Sequence, residues 1–100
     1  MKVHSIVIVN LSSPRQRFLG KLLEITPAGI TVRGIDLDAF EDWTNHVAAK
    51  EESGVQATTT FFPLHRVEKM ILDERIGAVP SLSSVFLTRA GAPIEEFLGT

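Results

Sequence analysis

Four consecutive β-branched residues, Ile6 to Val9, place the strongest constraint on how this chain of 100 residues can fold. Consecutive residues of a strand point to opposite faces of a sheet, so an apolar residue at every position predicts a strand buried on both faces. Val and Ile also favour strands because their branched side chains pack well on a pleated surface. We therefore predict a first strand, within Val3 to Leu11, that is covered on both sides.

Two further strand patterns follow, and turn chemistry separates them. The segments Asn10–Pro14 and Thr26–Gly29 are rich in residues that favour turns. Between them, an apolar segment from about Gln16 to Ile25 predicts a second strand, in which Gly20 marks a bend, a bulge or a close backbone approach. The segment Ile30–Ile35 predicts a third strand. These three strands are expected to form an antiparallel meander.

The hydrophobic period becomes helical after the third strand. Asp38, with Glu41 three residues later, predicts a capping box. Gly54 is a C-terminal signal, so the predicted helix runs roughly from Ala39 to Glu51. The apolar residues on one face of this helix are Phe40, Trp43 and Val47. An amphipathic helix is therefore expected between the third and fourth strands.

The rest of the chain predicts two more strands and a helical C-terminus. Thr58–Phe62 and Val67–Leu72 have strand composition. A short helix is expected to begin after Ser81 and to end at Gly91, and residues 93–98 are expected to form a last turn. Neither repeats nor a linker divide the chain, so a single domain over residues 1–100 is predicted.

Composition excludes several classes of protein. The net charge of −2, with 22% charged residues, argues against a dedicated nucleic-acid binder with a strong basic field. The absence of cysteine excludes disulfides and thiolate metal sites. No apolar run has membrane-spanning length and the N-terminal run is too short for a signal peptide, so a cytoplasmic location is expected. A chain this short folds marginally alone, and 44% hydrophobic residues leave apolar surface for a homo-oligomer interface.

Residues 6–32, IVIVNLSSPRQRFLGKLLEITPAGITV, resemble the first half of the Sm/LSm family, which includes the bacterial Sm-like RNA chaperone. The resemblance lies in an aromatic-x-Gly-x-Leu strand, here Phe18, Gly20 and Leu22, between two other strands. Residues 61–72, FFPLHRVEKMIL, resemble the last two strands of that family, and His65 lies near the histidine that the bacterial branch carries in the connecting turn. The resemblance implies a small, strongly bent five-stranded barrel, to which this chain adds one inserted helix and a short helical C-terminus.

The chain departs from the family at the RNA site. The Asp and Asn that bind the base in Sm proteins correspond here to Thr26 and Ile30, which cannot form the same hydrogen bonds. The family also has its helix before the first strand, whereas here the predicted helix precedes the fourth. The likeness is therefore one of architecture and does not extend to the binding motif.

Basic residues supply the candidate nucleic-acid contacts. These candidates are Arg17, Lys21, Arg33, His65 and Arg66. The first three are expected to share one face of the sheet and to form a basic patch. This patch either contacts an anion or nucleic acid, or is simply the solvated face of an antiparallel sheet. The His65–Arg66 pair either contacts phosphate from a loop, or Arg66 is solvated while His65 forms a hydrogen bond with the turn backbone. Histidines at metal-ligand spacing are lacking, so no metal site and no cofactor are predicted.

Aromatic residues supply the candidate interface. Trp43 is expected to pack on the sheet, with an interface role as the alternative. Phe61 and Phe62 point to opposite faces of their strand, so one is expected in the core and the other at an interface or against the helix.

Two functions remain open at this point. The first is a non-catalytic Sm-like binding module that forms a homo-oligomer and contacts RNA. The alternative is a protein-interaction or assembly module with no nucleic-acid role. The chain carries neither a glycine-rich phosphate loop nor a nucleophile elbow, so no enzyme activity and no small-molecule substrate are predicted.

Overall fold

The computed structural model describes residues 1–51 and 56–99, so the predicted helix signal at Gly54 lies outside the described residues. The strands are β1 (Ile6–Leu11), β2 (Gln16–Thr26), β3 (Gly29–Asp36), β4 (Thr58–Pro63) and β5 (Val67–Leu72). The helices are α1 (Phe40–Ala48) and α2 (Leu82–Ala90), and 3₁₀ turns cover Leu37–Ala39, Leu64–Arg66 and Ile94–Glu96. The strand β1 begins at Ile6 rather than at Val3, because Ser5 N donates to Lys2 O at 3.0 Å in a turn that contains His4 at a φ of 78°.

The strands form one antiparallel sheet in the order β4-β3-β2-β1-β5. The mainly-β prediction is confirmed, as are the helix between the third and fourth strands and the helical C-terminus. The sheet is open, however. Its edge strands β4 and β5 do not pair with each other in the part of the chain that the structure describes, so the sheet is not a closed barrel.

The sheet is nevertheless strongly bent, as its registers require. The last residue of β4, Pro63, is in register through β3 with Thr26, at the end of β2. The first residue of β5, Val67, is in register through β1 with Gln16, at the start of β2. In a flat sheet the length of β2 alone would separate these points by about 33 Å. The connecting turn of three residues spans at most roughly 14 Å, so the sheet must coil.

Hydrogen bonds at that turn join the two ends of β2. Leu64 N donates to Ala28 O at 2.8 Å, in the β2–β3 hairpin. Ser12 N, in the β1–β2 connection, donates to Arg66 O at 2.9 Å. The 3₁₀ turn Leu64–Arg66 therefore spans the bent sheet from one hairpin to the other.

Two glycines lie opposite each other within the sheet and allow its strands a close backbone approach. Gly20 in β2 lies opposite Gly34 in β3, and a Cβ added to Gly20 would lie 2.5 Å from Arg33 O. A Cβ on Gly34 would overlap the carbonyl oxygen of Leu19. The interpretation of Gly20 as a close backbone approach is therefore correct, and its partner Gly34 is under the same constraint.

One face of the sheet is buried by strand residues alone, and we call this group the strand cluster. Its buried members are Val7, Val9, Leu11, Phe18, Leu22, Ile30, Val32 and Phe62, with Val67 and Met70 packed at its border. Phe18 and Phe62 meet edge to face, with ring centroids 5.1 Å apart. Residues from all five strands reach this cluster because the sheet is coiled.

The opposite face is covered by the helices, and we call this group the helix cluster. Its buried members are Leu19, Ile35, Phe40, Trp43, Phe86, Ile94 and Leu98. Ile6 and Ile8 of β1 pack against it, whereas Val7 and Val9 belong to the strand cluster. The first strand is thus covered on both faces, as the apolar run from residue 6 to residue 9 predicts.

The helix α1 begins differently from the prediction. Asp36 Oδ1 accepts a hydrogen bond from Asp38 N at 2.9 Å and so caps the 3₁₀ turn that precedes α1. Ala39 is the residue that precedes α1, and its side chain makes no capping hydrogen bond. The predicted capping box of Asp38 and Glu41 is therefore wrong, because the 3₁₀ turn moves the cap to Asp36.

The helix α1 also ends earlier than Glu51. Lys50 has a φ of 57°, in the left-handed region. Lys50 N donates to Val47 O and Glu51 N donates to His46 O, each at 3.0 Å. This pair of bonds is the Schellman motif, in which glycine normally takes the left-handed position. A lysine in that position ends α1 here.

The helix α2 has the predicted boundaries. Ser81 Oγ accepts from Ser84 N at 3.1 Å, and Gly91 ends the helix with a φ of 76°. Asp73, just beyond β5, adds a second cap, because its carboxylate accepts from Leu82 N at 2.8 Å and from Ser83 N at 2.9 Å. These bonds hold α2 against the end of β5.

Candidate binding surfaces

The structure places two of the five predicted basic residues directly opposite each other on neighbouring strands. Lys21 of β2 lies opposite Arg33 of β3. Lys21 Nζ donates to Gly99 O at 3.5 Å, and Arg33 Nη1 donates to Thr59 Oγ1 at 3.2 Å. This pair forms a small basic site beside the last described residues of the chain.

Arg17 lies on the same face of β2 as Lys21 but belongs to a different surface. The two residues are about 13 Å apart along the strand, and Leu19 between them is completely buried in the helix cluster. Arg17 lines a polar groove of about 560 Å³ that holds both signs of charge. The charged residues of this groove are Arg15, Arg17, Lys69, Asp38 and Glu68. The helices therefore divide the predicted basic patch.

Arg66 is engaged within the fold. Its guanidinium donates to Ser12 O at 3.2 Å, to Pro14 O at 3.0 Å and to Gln16 Oε1 at 3.5 Å. These bonds tie the 3₁₀ turn to the β1–β2 connection, so the alternative in which Arg66 is merely solvated is wrong. His65, its neighbour in the turn, is exposed. Of the His65–Arg66 pair, the imidazole is therefore the group that faces solvent.

The three candidate interface aromatics differ sharply in exposure. Trp43 is 3% exposed and Phe62 is 4% exposed, whereas Phe61 is 49% exposed. The expectation that one of the two adjacent phenylalanines is in the core is confirmed, and Phe62 is that residue. Within a single chain, Phe61 is therefore the candidate that presents its ring to a partner.

Each edge of the sheet carries exposed apolar side chains. At one edge these are Phe61 of β4 and Leu64 of the turn that follows it, which we call the β4-edge patch. At the other edge they are Ile71, Leu72, Ile76 and Val79, which we call the β5-edge patch. Ile76 and Val79 are 65% and 66% exposed and form a small bridge around Gly77. Sequence reasoning missed this bridge, although two apolar residues flanking Gly-Ala are a weak hairpin signal.

A groove of about 470 Å³ adjoins the β5-edge patch. It lies between β5, the start of α1 and the segment from Asp73 to Leu82. Its apolar lining includes Ile8, Phe40 and Leu82 in addition to the patch itself. The β5 edge therefore offers a concave apolar surface next to its unpaired backbone.

A second groove, of about 630 Å³, lies where α1 and α2 end, and we call it the helix-end groove. Its apolar lining comprises Trp43, Val47, Ala57, Ala90, Ala92 and Phe97. Among its described lining residues, the charged ones are Arg33, Lys50 and Glu51. Sequence reasoning did not find this groove, because its residues come from four separate segments of the chain.

Neither a metal-ion site nor a membrane-spanning helix is found in the part of the chain that the structure describes. Within residues 1–51 and 56–99, no three His, Asp or Glu side chains gather in a way that could hold a metal ion. Over the same residues, no helix has the length and apolar character needed to cross a membrane.

Comparison with known proteins returned no relative. Family models, curated proteins and solved structures all gave no significant match to this chain. The fold is therefore described from this structure alone. It is an open, strongly bent, five-stranded antiparallel sheet with two helices on one face.

Proposed function

We propose that this protein is a non-catalytic, Sm-like binding module of the cytoplasm that assembles into a homo-oligomer through the two edges of its sheet. The observation that carries this proposal is the pair of apolar edge patches. An edge strand presents unpaired N–H and C=O groups, which another strand can satisfy. Here each edge adds exposed apolar side chains that a partner would bury.

The composition of the edges favours contact between unlike edges. The strand β4 contains no charged residue, whereas β5 carries both Glu68 and Lys69. Exposed edges that natural proteins keep apart usually carry charge, proline or a bulge. The strand β4 has neither charge nor an observed irregularity in its pairing with β3, and its one proline, Pro63, is its last residue. Joining β4 of one copy to β5 of the next extends the sheet across copies.

Such a contact is heterologous, because it joins two different surfaces of the protein. A linear assembly of copies therefore keeps a free β4 edge at one end and a free β5 edge at the other. Repetition then produces a closed ring if the rotation between neighbours closes, and a filament if it does not. The Sm-like resemblance favours the ring. The strong bend of the sheet supports the same outcome, because it turns the two edges away from a common plane.

RNA contact is the second candidate function, and the Lys21–Arg33 pair together with exposed His65 favours it. A ring would repeat these residues in every copy, so a chain with a net charge of −2 could still present several local cationic sites. The remaining alternative is an assembly module that binds only protein. Arg66, held by three hydrogen bonds within its own chain, contributes less to RNA contact than the sequence suggests.

The test is light scattering after size-exclusion chromatography, with absorbance recorded at protein and nucleic-acid wavelengths. We expect a discrete oligomer for the wild type. Phe61→Glu disables the β4-edge patch and Ile76→Glu disables the β5-edge patch, so each variant alone should be monomeric. Their mixture should form a dimer, because one variant retains a good β5 edge and the other a good β4 edge.

Leu87→Glu is the matched control. Leu87 is 50% exposed on α2, away from both edge patches, so this variant should keep the wild-type size. A monomeric wild type would contradict the proposal, and so would variants that remain oligomeric. Nucleic acid that co-purifies with the oligomer, and is lost in Lys21→Gln with Arg33→Gln, would support RNA contact.

A further inference from the structure

We propose that the helix-end groove is a binding site for a small organic anion with an aromatic or aliphatic body, such as an aryl carboxylate or sulfonate. This inference goes beyond the proposed function and does not depend on it. None of the residues of the β4-edge or β5-edge patches lines the groove. Assembly and ligand binding can therefore fail independently.

The groove has the size and lining of a small-molecule site. Its volume of about 630 Å³ falls within the roughly 300–1,000 Å³ that is typical of such sites. Small side chains create the space, since Ala57, Ala90 and Ala92 line the groove at positions where larger residues would fill it. Gly91 contributes as well, because its φ of 76° ends α2 at this point.

The floor of the groove is rigid. Trp43 packs against Phe86, with ring centroids 4.8 Å apart and planes inclined by 32°. Phe86 packs in turn against Phe97, with centroids 5.6 Å apart. Phe86 is completely buried, so the rings of Trp43 and Phe97 are held from behind. Rigid aromatic walls lower the entropic cost of binding a flat ligand.

The charged residues of the groove favour an anion. Arg33 and Lys50 are cationic and Glu51 is the single carboxylate among the described lining residues. Lys21 lies directly across the strand pair from Arg33 and adds further positive potential. A guanidinium donates two parallel hydrogen bonds to a carboxylate or sulfonate, so it selects planar or trigonal oxyanions. The bond from Arg33 Nη1 to Thr59 Oγ1 holds that guanidinium in place.

Apolar walls and a cation at the rim together specify the ligand class. A neutral aromatic would gain only the apolar burial, whereas an aromatic anion would also gain a charge-assisted hydrogen bond. That additional bond corresponds to about a tenfold or larger difference in affinity. Phe97 is the exposed ring of the groove, at 37%, so a purely polar anion such as inorganic phosphate would leave it uncovered and should bind weakly.

Two fluorescent probes test the proposal on the full-length protein. Anilinonaphthalene sulfonate carries the anionic group, and phenylnaphthylamine is a neutral analogue of similar shape. Trp43 is the only tryptophan of the chain, so energy transfer from it reports that a probe is bound to the protein, and the variants at the groove then locate that probe. We expect saturable one-to-one binding of the sulfonate, at least about tenfold tighter than binding of the neutral analogue.

Variants separate the charge from the cavity. Arg33→Gln should weaken sulfonate binding about tenfold and leave the neutral probe unchanged. Ala90→Leu should weaken both probes, because the added side chain occupies the groove. Arg75→Gln is the matched control, since Arg75 is exposed and donates to Gly77 O in a remote loop. It should change neither affinity.

Lys50→Gln provides a second charge variant in case Arg33→Gln perturbs the sheet through the lost bond to Thr59. Near-ultraviolet circular dichroism establishes that each variant is folded before titration. Equal affinities for the two probes would overturn the proposal. So would sulfonate binding that Ala90→Leu leaves unchanged, or that gives no energy transfer from Trp43.

Discussion

The two faces of the sheet are buried in different ways. One face depends mainly on the local pattern of apolar residues along each strand, and the other depends on contacts between distant segments of the chain. The strand cluster is built entirely from the strands, and most of its members lie within the meander of β1, β2 and β3. The helix cluster is assembled from strands, both helices and the 3₁₀ turn Ile94–Glu96. Alternation along single strands creates the first cluster, whereas the second exists only after distant segments have docked.

The largest expected effect comes from removing one large aromatic from each cluster. Phe86→Ala and Phe62→Ala each delete a buried ring, which typically costs about 3–5 kcal/mol in the free energy of unfolding. Phe86 packs against Trp43, so Phe86→Ala should also shift the tryptophan fluorescence of the folded protein. Phe62→Ala, on the opposite face, should leave that fluorescence unchanged.

Chemical denaturation, followed by tryptophan fluorescence and by far-ultraviolet circular dichroism, measures both effects. If the two faces fold as one cooperative unit, the two signals change together in each variant. Folded-state fluorescence that responds equally to both substitutions would show that the clusters are not separate environments.

Gly34 lies opposite Gly20 in the pairing of β2 with β3, whose residues contribute to both clusters, so a perturbation there should affect both faces. Gly34→Ala places a Cβ against the carbonyl oxygen of Leu19, which strand pairing cannot easily relieve. We expect a loss of about 1–3 kcal/mol, as for other overpacked interiors. Thermal and chemical denaturation provide the measurement.

Gly77→Ala is the control for that substitution. A Cβ at Gly77 meets no atom within 4 Å, although its φ of 60° disfavours alanine. The loss there should be only about 1 kcal/mol, from backbone strain alone. Equal losses at the two glycines would argue that a small backbone shift relieves the crowding at Gly34.

Arg66 tests the connection that keeps the sheet coiled. Arg66→Ala removes the hydrogen bonds that the guanidinium donates to Ser12 O and Pro14 O. We expect the free energy of unfolding to fall by about 1–2 kcal/mol. His65→Ala, at the neighbouring exposed position, should change stability by less than about 0.5 kcal/mol. Urea denaturation compares the two variants. A larger loss from His65→Ala would reverse the roles assigned to this pair.

The smallest expected effect is a gain confined to the helical layer. Lys50→Gly places glycine at the left-handed position of the Schellman motif, where lysine pays a steric penalty, so stability should rise by about 1 kcal/mol. Ala49→Gly, one residue earlier at a φ of −82°, should lower stability by about 0.5–1 kcal/mol. Thermal denaturation of the two variants should therefore give shifts of opposite sign.

Much of the fold could be predicted from the sequence because it depends on local patterns. The five strands and two helices were expected close to their observed positions, and Phe61 and Phe62 were expected on opposite faces. The α1 cap was mispredicted, because a 3₁₀ turn that leaves no clear trace in the hydrophobic period shifts the capping residue to Asp36.

The binding surfaces were less predictable. Arg66 was considered for RNA contact, but its hydrogen-bond partners lie 50 to 54 residues away in sequence. The sequence predicts that Arg17 and Lys21 of β2 share one surface. In the structure the helices cover Leu19, which lies between them, and so separate the two residues. The β5-edge patch and the helix-end groove combine residues whose proximity no local pattern encodes.

The sequence by itself determined where the chain extends, turns and coils into helix, and it determined that β1 is buried on both faces. Those properties follow from the sterics of single residues and from the alternation of apolar side chains. Only the tertiary structure decided which distant residues meet: Trp43 with Phe86, Arg66 with Ser12, and Arg33 with the groove where the two helices end. These contacts depend on the angle through which the sheet bends, and that angle is set by the packing of all its strands together.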